Sequence, residues 1–417
     1  MVDARPRGNR DGSDRRDRHR DRCPAADRTM EGQRRMRFFL ADAKTGRNLI
    51  PITATGGRWE VRRNRAGDTV CTIPLSNKEH RRLNLYETAT PGATILGIGE
   101  GSWIAEAGPI WEHDFDEDRQ ELVLTAEGMW SMLMRRYVLP PAVETTSLLL
   151  TSGDDSGKPN PAVATSFTGK SWPFIVRTLL QQGMSRTGGA LPLVFGPDGT
   201  GAHDKTYDAA SFKTQGEALL DLTELENGPE IDLRPRYTAD GLGIEVLVRV
   251  GDDAKLQLSS VGDPHVFDFS VPKRTVRGLK VKRSAKMLAS EAWASGGRQA
   301  AIALIARAAS SVLLEAGFPR MESLSSAHST VTEQATLDAY AAGELSASQK
   351  AHEWWSFETN IDKVPKLGSF WLGDYCNVIM RNSSYVPDGT YRRRIAAISG
   401  SLSSRWVRIT TDEAVDA

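Results

Sequence analysis

GPIWEHDFDEDRQELVLTAEGMW, residues 108–130, is the stretch from which the fold is read. Its apolar start ends at Trp111 and closes a strand-like segment, Ser102–Trp111. The polar segment from His113 to Asp118 follows, with four carboxylates in six residues. A second strand pattern, Gln120–Thr125, then carries the short apolar run Leu122-Val123-Leu124. The spacing predicts two strands around a solvated acidic turn. The apolar run suggests a buried strand, although periodicity alone does not separate it from buried helix. Behind it, Ala126–Tyr137 reads as a short helix, with Met129, Leu133 and Met134 apolar and Trp130 adjacent. Pro140-Pro141 stops it.

Upstream the pattern stays β. Arg37–Ala41, Gly57–Asn64, Val70–Leu75 and Ala93–Leu96 read as short strands punctuated by Gly46 and Gly56-Gly57. Downstream, residues 140–204 are rich in turn residues, at 152–156, 159–161, 188–189 and 196–201. They enclose one amphipathic helix, Trp172–Gln182. A second helix, Phe212–Leu225, stops before Asn227-Gly228-Pro229. Glu230–Tyr237 and Leu242–Val250 then flank the turn signal Ala239-Asp240-Gly241, and Thr275–Arg283 is a further strand. The Ala-rich stretch Ala300–Leu314 reads as helix, as do Thr330–Ala342 and Ser346–Glu353. Strands near Trp354–Ile361, Phe370–Met380, Thr390–Ile398 and Ser403–Thr410 close the chain.

This order lacks strict βαβ alternation and predicts an α+β fold with two β-rich modules. The expected organisation is a β-rich module at 36–139, a loop-and-helix connection at 140–228, and a second β-rich module with helical insertions at 229–417. Residues 1–35 stand apart. They are dominated by Arg and Asp and contain no Leu, Ile, Phe, Tyr or Trp. Such a segment buries too little apolar surface to offset ordering entropy and is expected to be disordered. A basic arm, a solvated tail and a start at Met30 or Met36 are the competing readings.

Composition narrows the function classes. The 417 residues hold 53 Lys+Arg and 53 Asp+Glu, a formal net charge of +0. That balance speaks against a dedicated nucleic-acid-binding protein, which normally carries a basic excess. The 3 cysteines, Cys23, Cys71 and Cys376, are far apart and form no CxxC pair. A zinc ribbon or a disulfide scaffold is not expected. No apolar run approaches the ~18 residues of a membrane span, and the start shows no signal-peptide core.

Catalytic patterns fail in turn. Read from Asp114, the acidic cluster has Arg119 where a calcium loop needs Gly and Thr125 where it needs Glu. The 7 histidines form no HExxH or HxH and are read as isolated surface residues. No GxSxG elbow is present. Gly97-Ile-Gly-Glu-Gly101 is followed by strand-like residues rather than a helix, so it reads as a turn or edge loop. Gly169-Lys-Ser171 lacks the leading glycine of a phosphate-binding loop, since Ala164 occupies its place. No catalytic, cofactor-binding or metal-binding residue is therefore expected. The 10 tryptophans are the remaining signal. Each reads as core packing or as an aromatic anchor at a subunit contact.

Taken together, several strings resemble the minor tail proteins of long, non-contractile-tailed phages of actinobacteria, which form the tail-tip hub. They are Gly108-Pro-Ile-Trp111 with Glu121–Trp130 and Arg135-Arg136; Gly216-Glu-Ala-Leu-Leu with Gly228–Arg236; Gly278-Leu-Lys-Val with Trp293-Ala-Ser-Gly296; and Leu367–Asp374 with Asp388–Ile395 and Ile398-Ser-Gly400. The likeness runs from about Arg37 to Thr411. Neither the Arg/Asp-rich start nor Ala300–Ala309 takes part in it.

The resemblance implies a non-enzymatic hub, similar to contractile-phage baseplate hubs, with tail-tube-like β modules. It implies a homotrimer placed between the tail tube or distal tail ring and a tip fibre or spike, near the tape measure protein, assembled in the host cytoplasm. Trp111, Trp130, Trp371 and Arg392 are the candidate interface anchors. The arginine runs Arg62-Arg63-Asn64-Arg65 and Arg392-Arg393-Arg394 read either as interface ion-pairing points or as solvated strand ends. A carbohydrate-binding adhesin and a tail-associated cell-wall hydrolase are the alternatives. The first would show exposed aromatic platforms and the second a catalytic signature.

Overall fold

Alternation of apolar and polar side chains builds most of this chain. In Asp68–Pro74 every second residue is buried, which places one face of the strand in a core. The computed structural model describes residues 36–140, 164–225, 227–272, 275–299, 302–328, 331 and 333–413. The expected disorder of 1–35 and the turns at 152–156 and 159–161 lie outside the described residues.

The first stretch forms β1 (Arg37–Asp42), β2 (Ile50–Ile52), β3 (Gly56–Arg62), β4 (Asp68–Pro74), α1 (Lys78–Arg82), α2 (Leu85–Thr88), β5 (Thr94–Glu100), β6 (Trp103–Asp116), β7 (Glu121–Glu127) and the single turn α3 (Trp130–Leu133). The middle holds β8 (Thr165–Lys170), α4 (Trp172–Met184), β9 (Leu193–Phe195), β10 (His203–Tyr207) and α5 (Gln215–Thr223). Then come β11 (Ile231–Tyr237), β12 (Ile244–Val250), β13 (His265–Asp268), β14 (Val276–Ser284), β15 (Glu291–Gln299), β16 (Ile302–Ala309), α6 (Val312–Glu315), β17 (Glu322–His328) and α7 (Gln334–Ser348). The chain ends in β18 (His352–Asn360), β19 (Tyr375–Met380), β20 (Gly389–Ser401) and β21 (Trp406–Glu413).

Thirteen of these strands share one sheet. Eleven follow the order β14-β18-β21-β20-β3-β4-β7-β6-β5-β1-β2, with β19 on β20 and β13 parallel to β19. The joint is β20. Residues 389–394 pair with β19, and residues 397–401 pair with β3, so one strand carries hydrogen bonds to both halves of the chain. A bulge between Ile395 and Ala397, seen against β21, marks the change of partner. Three smaller sheets stand beside it: β10-β8, β11-β12-β9 and β16-β15-β17. The protein is thus mainly β-sheet with short helices, an α+β fold.

The largest core joins Phe38, Trp59 and Cys71 from the first stretch to Phe267, Trp355, Phe357 and Ile398 from the last. A second core lies where Ile175 and Leu179 of α4 and Leu219 of α5 meet Phe39, Ile95 and Val246. A third packs Leu337, Tyr340 and Ala341 of α7 against Ala294, Leu304 and Ala306.

Several elements differ from expectation. The helix expected over Ala300–Leu314 is formed only at its end, where Val312–Leu314 belong to α6; Ile302–Ala309 is strand, with Leu304 and Ala306 inward and Ile305 and Arg307 outward. Its alanines favour helix, but pairing with β15 and burial on alternate residues prevail. Of Ala126–Tyr137 only Trp130–Leu133 is α-helical, because Thr125 and Ala126 continue the ladder with Val70 and Thr69. The helices read at 330–342 and 346–353 are one, α7, and His352 already begins β18. In 370–380 only Tyr375–Met380 is strand. The glycine cluster is no edge loop: Gly97 and Gly99 sit in β5, between β1 and β6, and only Gly101 turns. Gly97 lacks a Cβ for a reason, since one there would lie 2.2 Å from the Phe39 ring.

Candidate interaction surfaces

The four candidate anchors occupy different places. Trp371 is 2% exposed, directly before the turn that leads into β19. Its indole Nε1 donates to Asp232 Oδ2 at 3.1 Å, Trp103 meets it edge-on at 5.8 Å, and Arg234 lies over its ring at 4.7 Å. Trp59 continues the row, 6.0 Å from Trp103. Trp371 therefore spends its surface inside this chain, joining β11, β6 and β3. Trp130 is likewise buried, in the second core. Trp111 is half-buried on β6; its Nε1 donates to Ser131 Oγ at 2.9 Å, and Arg135 covers its ring at 4.3 Å. Arg392 is exposed on β20, stacked 4.4 Å over Tyr375.

Trp130 and Trp371 come together around a cavity of about 20 Å³, also lined by Gly67, Glu106, Gly128 and Asp232. That volume admits one water. Glu106 is buried, and its Oε1 accepts from the Ala107 amide at 2.9 Å. Burial, together with the nearby Asp232 and Asp68 carboxylates, pushes the Glu106 carboxyl up to about 8. Burial raises Asp232 as well, against Arg249 and Arg234, which favour its charge. Only the signature of a charged residue inside an apolar strand, Ile104-Ala-Glu-Ala107, could have pointed to this site.

The arginine runs divide: Arg62, Arg65 and Arg392 are exposed, whereas Arg63, Arg393 and Arg394 are engaged inside the chain. Arg393 and Arg394 are buried on β20. Arg393 pairs with Glu353 and lies 4.3 Å over Trp355. Arg394 grips Glu230 with both guanidinium nitrogens and donates to the carbonyls of Gly373 and Leu258. Arg63 reaches Asp412 at 2.6 Å and Glu230 at 3.5 Å. These ion pairs tie β20, β3 and the start of β11 within one chain. The histidines are not all on the surface either. His80 is buried with Nδ1 2.8 Å from the Pro74 carbonyl, and His203 stacks on Trp172 at 3.7 Å while meeting Asp253 at 2.7 Å.

The acidic segment is mostly strand. β6 runs on to Asp116, and the turn occupies 117–120. Among the described residues no three His, Cys, Asp or Glu side chains converge as a metal would require, and no helix is long and apolar enough to cross a membrane. What the surface does offer is unpaired sheet. Among the described residues β14 has a strand on one side only. β6 outgrows β5, whose pairing ends at Pro109. The outer face of β16-β15-β17 shows Ile305 and Leu324.

No family model and no curated protein matches this chain. Solved structures do. The 43 kDa tail protein of prophage MuSo2 from Shewanella oneidensis is similar with a TM-score of 0.54 at 12% identity, over 91% of this chain and 98% of that one. The tail protein from Neisseria meningitidis MC58 is similar with a TM-score of 0.50 at 10% identity, over 91% and 96%. At such identities the likeness is one of fold.

Proposed function

We propose that this chain is a structural component of a phage-type tail, and within it the hub at the tail tip. The observation that carries this reading is the extent of the fold likeness: it spans nearly the whole of this chain and nearly the whole of two tail proteins. The unpaired strand edges agree with it. Exposed edges are liabilities in a lone protein and become interfaces in a closed assembly.

In this reading the stretches 36–139 and 229–417 are two tube-like modules joined through 140–228. Three copies form a ring between the tail tube or distal tail ring and a fibre or spike, and the ring serves host attachment and DNA delivery. The chain then lies in the virion, assembled in the host cytoplasm, and works through rigid pairing surfaces with no catalytic group. Trp111 and Arg392, at the surface, are its candidate anchors to neighbours; Trp130 and Trp371 support it from inside.

The test is immunogold labelling of purified particles with antibody raised to residues 36–413, paired with their mass spectrum. Gold at the tail tip is expected. Gold elsewhere on the tail would move the protein from the hub, and its absence from both readouts would overturn the tail reading.

A further inference from the structure

We infer that two copies of this chain join edge to edge, the acidic outer part of β6 in one copy adding as a strand to the basic edge strand β14 of the next. The inference rests on the assembled tail reading and names the contact within it. Past Ile110, β6 continues as Glu112–Asp116 with β7 on one side. Among the described residues no strand lies on its other side. Glu112, Asp114 and Asp116 are exposed and alternate with His113 and the 48%-exposed Phe115. Three carboxylates therefore share one face of the strand, repeating every two residues or about 6.7 Å.

β14 is the complementary edge. It pairs with β18 and ends the large sheet. Lys280 and Lys282 are exposed on one face, and Leu279 and Val281, packed partly into the main core, lie on the other. Two further cations of the segment are matched inside the chain, Arg277 by Glu358 at 2.8 Å and Arg283 by Glu353 at 3.0 Å. Lys282 lies 5.5 Å from the Trp354 ring. Among the described residues Lys280 and Lys282 have no carboxylate partner and Glu112 and Asp114 no cationic one, while Asp116 meets Arg119 of its own turn at 3.5 Å.

Both strands repeat every two residues, so a paired ladder in either direction sets ammonium groups opposite or diagonal to carboxylates. It also sets Phe115 beside Leu279 and Val281 on the opposite face. Lysines on an edge normally discourage strand addition. Here they admit one partner, a strand carrying carboxylates at the same repeat. Five strands separate β14 from β7 within the sheet, so the contact is made between copies. It is head-to-tail, the arrangement that closes rings.

The experiment uses the full chain and sedimentation velocity over 50–500 mM NaCl, with folding checked by circular dichroism. Association is expected to weaken at least tenfold on K280E/K282E and on D114K/D116K. It should recover when all four changes sit in one chain, because both edges then reverse together. As a direct readout, a mixture of D114C and K282C chains should yield a disulfide-linked heterodimer under mild oxidation. Association unchanged by either reversal, or no recovery in the fourfold variant, would overturn this contact while leaving the tail reading to the gold labelling. So would loss of duplex DNA binding in K280E/K282E with association intact, which would assign β14 to nucleic acid. A monomer at every concentration overturns the contact as well, and tail-tip gold in that case shows that the hub reading stands without it.

Discussion

Glu106 shows how one residue can set a pH response. Its carboxyl sits in the narrow cavity made by Gly67, Gly128 and Trp130, near Asp232. The folded protein holds this proton up to about 8, whereas the unfolded chain releases it near 4.5. The folded state therefore binds more protons between those values, and stability falls as pH rises through them. Below about 4.5 the penalty is absent, and above about 8 it is complete, at a few kcal/mol. Glu106→Gln should remove it. Urea unfolding at pH 5, 6.5 and 8 is expected to show the variant gaining on the wild type as pH rises; parallel curves would contradict the buried proton. Arg394 is the second case. Replacing it with Met leaves the partly buried Glu230 with only part of its pairing, at a loss of roughly 3 kcal/mol. Replacing both with Met should lose less than the single change in the same assay.

At the scale of elements, α5 illustrates local encoding. Thr214 Oγ1 accepts from the Glu217 amide at 3.1 Å, and the Glu217 carboxylate accepts from the Thr214 amide at 2.8 Å. This reciprocal cap satisfies two amides that the helix itself leaves free. Thr214→Ala is expected to destabilise by about 1 kcal/mol, and Thr214→Ser to restore most of it. Equal midpoints for the three proteins in thermal unfolding would show that tertiary packing of Ala218, Leu219 and Leu222 alone holds α5. β16 shows the opposite case. Its composition suits a helix, and the strand exists because β15 pairs with it and α7 covers its inner face.

For the whole molecule, β20 makes the two halves interdependent. Trp59 and Val61 on β3 and Cys71 on β4 share one core with Trp355, Phe357 and Ile398. A fragment of residues 36–139 loses the strand beside β3 and exposes that core. It is expected to give no cooperative urea transition and to bind a hydrophobic dye, whereas the full chain unfolds cooperatively. A sharp transition in the fragment would show that the first module is self-sufficient. The same interdependence places Trp371 in the interior. It braces β11 against β6, and truncating it should destabilise the chain before it alters contacts between copies.

The strands with period-two burial, the two amphipathic helices and the Asp240-Gly241 hairpin were legible in residue order, because each depends on neighbours within a few positions. So was the α+β class. Residue order did not show that Arg393 and Arg394 lie inside, that β6 runs through its own acidic segment, or that Ile302–Ala309 is strand. Those outcomes depend on partners far along the chain, such as Glu353, Glu230, β7 and β15. An ionisable or ambiguous residue takes its place from the charge, hydrogen bonds and apolar surface that folding brings to it. None of these is written in its own neighbourhood.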